Sequence, residues 1–193
     1  MHSPALLNQT KVVSQSFCYP LSEFYTHAKL TMPLIEAIPG DSVPEPYRTL
    51  LVHNNDMTPT LESFYKSDIH LEILSRERRG DFYFREVVLR LNGDDRSVEF
   101  GANKVYLGRF PEESQVLVLQ EYVPLGRILK NNGISHHTEA KAYLRVQADD
   151  LICRSFELNG PATLYGRKAV ISDLQGRPLS EIVEILPPVL SPS

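Results

Sequence analysis

Two charged residues occupy positions that strand alternation places among apolar side chains. In the segment 82–91, Arg85 falls in a row whose other members are apolar or aromatic, namely Tyr83, Val87, Leu89 and Leu91. In the segment 179–186, Glu184 shares a row with Ile182 and Leu186. A buried guanidinium is costly unless it meets an anion, and its planar fork suits a carboxylate. A carboxyl group in an apolar row can act as an acid or a base.

Structural interpretations of the same two residues stay open at this point. Arg85 and Glu184 could neutralise each other as a buried ion pair. Alternatively, one face of the sheet is partly wet and both charges are solvated. Glu181 lies on the opposite face of the last strand, and the pattern leaves open which glutamate faces a cavity.

Other familiar catalytic and metal-binding patterns do not occur in the sequence. His136 and His137 are adjacent, so their side chains point apart on a strand or helix, and a solvated loop is the simpler interpretation. Cys18 and Cys153 lack the spacing of a metal site. Neither a Gly-x-Ser-x-Gly nucleophile motif nor a glycine-rich phosphate loop is present. We therefore expect no metal and no cofactor.

Length and charge restrict the class of protein. The 193 residues suit a single domain, and the formal net charge of -4 argues against nonspecific nucleic-acid binding. No apolar stretch is long enough to span a bilayer, and the first fifteen residues do not read as a signal peptide. The expectation is a cytoplasmic monomer with a small-molecule partner, and with neither nucleic acid nor membrane as a partner.

The elements that position Arg85 and Glu184 follow from the hydrophobic period. Six segments alternate with a period of two, at about 69–74, 82–91, 98–107, 141–146, 163–172 and 179–186. Turn sequences such as Arg79-Gly80-Asp81 separate neighbouring segments. Asp56 reads as a helix N-cap, and Pro124 divides the helical stretch 111–131. The pattern predicts an α+β fold, with an antiparallel sheet of about six strands and helices on one face.

Five motifs in order give the chain a family resemblance. They are Asn55-Asp56-Met57-Thr58, the segment 83–89, Pro124-Leu125-Gly126-Arg127, Tyr165-Gly166-Arg167-Lys168 and the stretch from Gly176-Arg177-Pro178-Leu179 to Glu184. Over roughly residues 50–188 the chain resembles the chorismate lyase family, in the branch of mycobacterial and cyanobacterial members once listed as a domain of unknown function. The resemblance implies an internal ligand cavity under helical flaps. Together with the proline pattern, it divides the chain into an irregular N-terminal extension (1–44), the chorismate lyase-like domain (45–188) and a loose Pro/Ser-rich tail (189–193).

The resemblance also implies roles for individual residues. Arg85 would bind a ligand carboxylate, and Glu184 would be the catalytic carboxyl at the other end of the site. The backbone of Leu125, with Gly126 in the same flap, would contact the ligand, and Met57 would lie at the cavity mouth. The family's Trp-Gly-Arg-Arg is Tyr-Gly-Arg-Lys here, and Ala102 replaces an arginine often found after Gly101. A second cation is therefore missing or is supplied by one of two residues, Lys104 or Arg167.

The reaction implied is the cofactor-independent conversion of chorismate into 4-hydroxybenzoate and pyruvate. In relatives, 4-hydroxybenzoate enters quinone biosynthesis or phenolic glycolipid synthesis. Two alternatives keep the same site. One is a lyase that forms a different hydroxybenzoate. The other is a sensor or carrier that binds an aromatic carboxylate without turning it over.

Overall fold

The computed structural model describes residues 11–189. Its strands are β1 (Lys11–Val12), β2 (Ile35–Ile38), β3 (Ile69–Arg79), β4 (Phe82–Leu91), β5 (Ser97–Tyr106), β6 (His137–Gln147), β7 (Thr163–Ser172) and β8 (Pro178–Leu186). Its α-helices are α1 (Leu21–His27), α2 (Tyr47–Leu51), α3 (Met57–Tyr65), α4 (Glu112–Leu119), α5 (Leu125–Asn131) and α6 (Asp150–Ser155). Short 3-10 helices cover Gln15–Cys18, Gly40–Ser42 and Leu107–Arg109. Every helix between residues 11 and 189 is too short or too polar to span a bilayer.

All strands belong to one antiparallel sheet with the order β1-β2-β6-β7-β8-β5-β4-β3. The antiparallel α+β prediction is confirmed, and β3 to β8 are its six expected strands. The sheet has eight strands rather than six, because β1 and β2 extend it beyond β6. These two strands span only two and four residues, too short for alternation to show in the sequence.

Helices lie on both faces of the sheet, so the prediction of helices on one face is wrong. Helices α1 and α6 pack against one face, where Phe100, Val183 and Ile185 are buried. The opposite face, which we call the flap face, is covered by α2, α3, α4 and α5. Both rows of β4 are almost wholly buried, so each side of the sheet needs a covering layer.

The ends of the described chain join this core. Strand β2, within the segment assigned to an N-terminal extension, pairs with β6. The backbone N–H of Val189 donates to the Tyr47 hydroxyl, and Val189 packs against the apolar cluster beneath α2. Most of the loose tail predicted at 189–193 lies outside the described residues, and the domain boundaries stay a prediction.

Candidate functional site

A small pocket lies between the flap face of the sheet and helices α3 and α5. Its floor comes from β4, β5 and β8 and includes Arg85, Glu99 and Glu184. Its roof comes from the first turns of α3 and α5, with Met57 and Leu125. The cavity volume is about 50 Å³, which holds only a few water molecules at roughly 10–15 Å³ each.

Arg85 is buried in the floor of this pocket and forms no ion pair with any residue between 11 and 189. Its side chain lies on the flap face, as alternation predicted, and the residue is 2% exposed. Within residues 11–189, its Nε and Nη1 atoms have no hydrogen-bond partner. Burial lowers the pKa of the guanidinium, while nearby Tyr83 and Glu121 oppose that shift. This low exposure excludes the interpretation that Arg85 lies on a wet face of the sheet with its charge solvated. The alternative of an ion pair between Arg85 and Glu184 is also wrong.

Glu184 forms its ion pair with Arg167 instead. The register of β7 and β8 places the two residues opposite each other, and Arg167 Nε donates to Glu184 Oε2 at 2.6 Å. Both side chains are almost fully buried. Glu184, and not Glu181, lines the pocket, because Glu181 projects to the other face and meets Tyr106.

Arg167 also ties the sheet to the flap. Its Nη1 donates to the carbonyl of His53 at 3.1 Å, and its Nη2 donates to the carbonyl of Asn55 at 3.0 Å. Each of its three nitrogens therefore meets a protein acceptor, Glu184 on β8 for Nε and the segment that leads into α3 for the other two. Arg167 lines the pocket, whereas Lys104 lies on the opposite face beside Glu181 at 3.6 Å. A ligand-binding role for Arg167 stays a prediction.

Helices α3 and α5 meet at Gly126. A Cβ atom at that position would lie 3.4 Å from Thr58 Oγ1 and 3.5 Å from Asp56 Cβ, so a larger side chain would press on the start of α3. Arg127 pairs with Glu62 and joins α5 to α3 again. Pro124 immediately precedes α5, in agreement with the predicted break. Met57, Leu125 and Gly126 thus form one buried roof over the pocket, and their contact with a ligand stays a prediction.

Asp56 precedes α3 as predicted, but its carboxylate does not cap the helix. It accepts hydrogen bonds from His136 Nε2 at 2.8 Å and from Thr138 Oγ1 at 2.5 Å. We call this group of three residues, which joins the start of α3 to β6, the latch. Interpreting His136 as part of a solvated loop was wrong, because the imidazole is partly buried in this latch. Burial lowers the His136 pKa, but hydrogen bonds to the Ile134 carbonyl and to Asp56 outweigh it, and the net shift is upward.

Replacing His136 is expected to cost stability in a pH-dependent way. Because its pKa is raised in the folded protein, the stabilisation is fully present below the unfolded-state pKa and is lost as pH rises through the folded-state pKa. His136→Gln should therefore be less stable than wild type near pH 5, with the difference shrinking toward pH 9, as urea titrations at roughly these two values would measure. His137→Gln, at the exposed neighbour, is the matched control. A difference that grows with pH would contradict the latch.

Sequence reasoning missed Glu99. This residue is 5% exposed, and its Oε2 has no partner within the described residues. Burial raises its pKa well above the ordinary value, and the charge of Glu184 adds to the effect, while Arg167 opposes it. In the sequence, Glu99 shares its row with the small or polar residues Gly101 and Asn103, so alternation does not mark it as a charge among apolar neighbours.

Comparisons with known proteins bear on the fold. No protein-family model matches the chain, and no curated protein matches it. PhnF from Mycobacterium smegmatis aligns with a TM-score of 0.53 and 10% identity, covering 96% of this chain and 90% of that chain. The PhnF effector domain alone aligns with a TM-score of 0.53 and 10% identity, covering 69% of this chain and 89% of that chain. A possible transcriptional regulator, YydK from Bacillus subtilis subsp. subtilis str. 168, aligns with a TM-score of 0.50 and 8% identity, covering 66% and 65%.

Identity this low shows a shared fold and nothing finer. The fold is that of the PhnF effector domain, which fits the expected chorismate lyase-like fold. Within the described residues, no three His, Cys, Asp or Glu side chains are grouped closely enough to hold a metal ion.

Proposed function

We propose that the protein binds a small carboxylate in the pocket beneath α3 and α5, with Arg85 as the receptor for the carboxylate. The observation that carries this proposal is the buried Arg85 guanidinium, two of whose nitrogens have no partner among the described residues. A cation held in such a place without an anion lowers stability, and a bound carboxylate would complete it with two parallel hydrogen bonds.

The surroundings of Arg85 restrict the ligand class. Apolar side chains such as Val87, Leu89 and Ile182 line the space between Arg85 and the two glutamates. A flat apolar body with a carboxylate at one end and a polar group at the other matches this lining. The cavity of about 50 Å³ is smaller than an aromatic acid, so binding requires α3 and α5 to move outward. The fold of the PhnF effector domain also fits a ligand-binding role.

A second candidate function is the lyase reaction itself, favoured by the two buried carboxyl groups in the same pocket. In that reaction the carbon–oxygen bond to the enolpyruvyl group breaks and the ring loses the proton beside its hydroxyl. The enolpyruvyl group gains a proton to give pyruvate, and the ring becomes 4-hydroxybenzoate. Arg85 would hold a carboxylate while Glu184 accepts the ring proton or orients the hydroxyl. Aromatisation provides the driving force.

One assay separates the two candidates. Purified protein is incubated with chorismate, products are followed by chromatography with mass detection, and 4-hydroxybenzoate binding is measured by calorimetry. A lyase should release 4-hydroxybenzoate and pyruvate in equal amounts, with turnover in Glu184→Gln lowered by at least about 100-fold. Binding of 4-hydroxybenzoate without turnover would leave a sensor or carrier. A different aromatic product would indicate a related lyase, and the absence of both binding and turnover would overturn both candidates.

A further inference from the structure

Glu99 and Arg85 lie at opposite ends of the pocket floor. Arg85 pairs with Asn103 across β4 and β5, and Leu89 pairs with Glu99. The two positions are thus four residues apart along the strands, or roughly 13 Å at the rise of a β-strand. Arg85 is the cationic end, and Glu99 marks the other.

Among the residues that the structure describes, Glu99 has no cation of its own. Gly101 stands opposite Glu184, so Glu99 is the diagonal neighbour of Glu184 on the same face. Glu99 Oε1 lies 3.4 Å from the place where a Gly101 Cβ would stand, a point 3.9 Å from the Glu184 Cα. The Arg167 guanidinium next to both carboxyl groups is engaged by Glu184 and by the carbonyls of His53 and Asn55.

Two carboxyl groups beside one engaged guanidinium do not both ionise at low cost. Glu184 holds the ion pair, while Glu99 combines burial with an unpartnered oxygen, which favours its neutral form. The other titratable groups around this part of the pocket, in the described part of the chain, do not supply a counter-charge. Arg85 lies at the far end of the floor, the partly buried His53 has a lowered pKa, caused first by burial, and Asp56 is engaged by His136.

We propose that Glu99 is a neutral carboxylic acid that donates a hydrogen bond to the polar end of the ligand and so selects carboxylates with an acceptor opposite the carboxylate. This inference rests on the proposed function and names a specificity residue of the same site. A carboxylate bears no proton and can only accept, whereas a neutral carboxyl group can donate to a hydroxyl or carbonyl oxygen. An apolar acid of the same length would leave the Glu99 donor unsatisfied.

The test uses 4-hydroxybenzoate and benzoate as probes, with calorimetric titration of the full chain. Glu99→Gln keeps a donor of the same shape, so its Kd for 4-hydroxybenzoate should stay within about threefold of wild type. Glu99→Ala should weaken 4-hydroxybenzoate by at least about tenfold and benzoate by less than about threefold. Glu86→Gln is the matched control, since Glu86 is also a buried carboxyl with an oxygen that has no partner among the described residues. It pairs with Ala102 and so lies on the other face of the sheet, the face that α1 covers.

A second readout does not depend on binding. The infrared difference spectrum of wild type minus Glu99→Gln at neutral pH should contain the C=O stretching band of a neutral carboxylic acid. A carboxylate band in its place, or a Glu99→Gln variant that binds as weakly as Glu99→Ala, would overturn the inference. So would unchanged selectivity in Glu99→Ala while Arg85→Met has lost binding, and in that case the proposed function stands. If wild type binds neither probe, the proposed function fails and the inference fails with it.

Discussion

Arg167→Met is expected to lower the free energy of unfolding by about 3–5 kcal/mol, the loss typical when one partner of a buried ion pair is removed. The substitution leaves the Glu184 carboxylate buried without its cation. It also removes the donors to the carbonyls of His53 and Asn55, which hold the segment leading into α3. The first turns of α3 and α5, which we call the flap, should therefore become more mobile as the sheet is destabilised.

Urea titration with linear extrapolation measures this loss directly. Arg145→Met is the matched control, because Arg145 pairs with Glu36 at 2.7 Å across β2 and β6 in a partly exposed position, where an ion pair contributes little to stability. The double variant Arg167→Met with Glu184→Leu should recover much of the loss, since no buried charge is then unpaired. A loss from Arg167→Met no larger than that of the control would show that the pair does not hold the flap.

The sheet was readable from the sequence where the strands are long. Alternation over β4 and the turn at Arg79-Gly80-Asp81 specify a hairpin, and Gly80 indeed has a positive φ of 58°. Strand β2 was not readable, because four residues between two prolines give no period. Helices on both faces were also missed, because α1 and α6 are only seven and six residues long and the order of strands β5 to β8 depends on contacts distant in sequence.

The site was readable only in part, for a related reason. Alternation identifies a charge that is out of place in its row, and so it marked Arg85 and Glu184. It cannot identify the partner of that charge, since pairing depends on the register between strands. Arg167 lies opposite Glu184 across β7 and β8, so Glu184 is paired with Arg167 and is not the anion that Arg85 needs. Glu99, in a row with Gly101 and Asn103, needed the same three-dimensional information.

Arg85→Met is expected to weaken carboxylate binding strongly and, at the same time, to stabilise the ligand-free protein. Binding of 4-hydroxybenzoate should weaken by at least about 30-fold, because the loss of a buried charge partner costs roughly 2–5 kcal/mol and each 1.4 kcal/mol is a factor of ten. Stability should rise by on the order of 1 kcal/mol, because a buried cation without a partner is replaced by an apolar chain of similar length.

Weaker ligand binding together with higher stability distinguishes a binding residue from a structural one. A structural arginine has internal partners, so its removal lowers stability, as expected for Arg167. We expect Arg85 to behave as a binding residue, because its unpartnered guanidinium lowers the stability of the empty pocket and an anion would offset that cost. Arg90 lies on the same strand but is paired with Glu72 at 2.5 Å. Arg90→Met is therefore the control and should leave 4-hydroxybenzoate binding unchanged. Calorimetry measures the change in 4-hydroxybenzoate affinity of the two variants, and thermal unfolding measures the change in their stability. A destabilised Arg85→Met that still binds 4-hydroxybenzoate would refute the carboxylate-receptor role of Arg85.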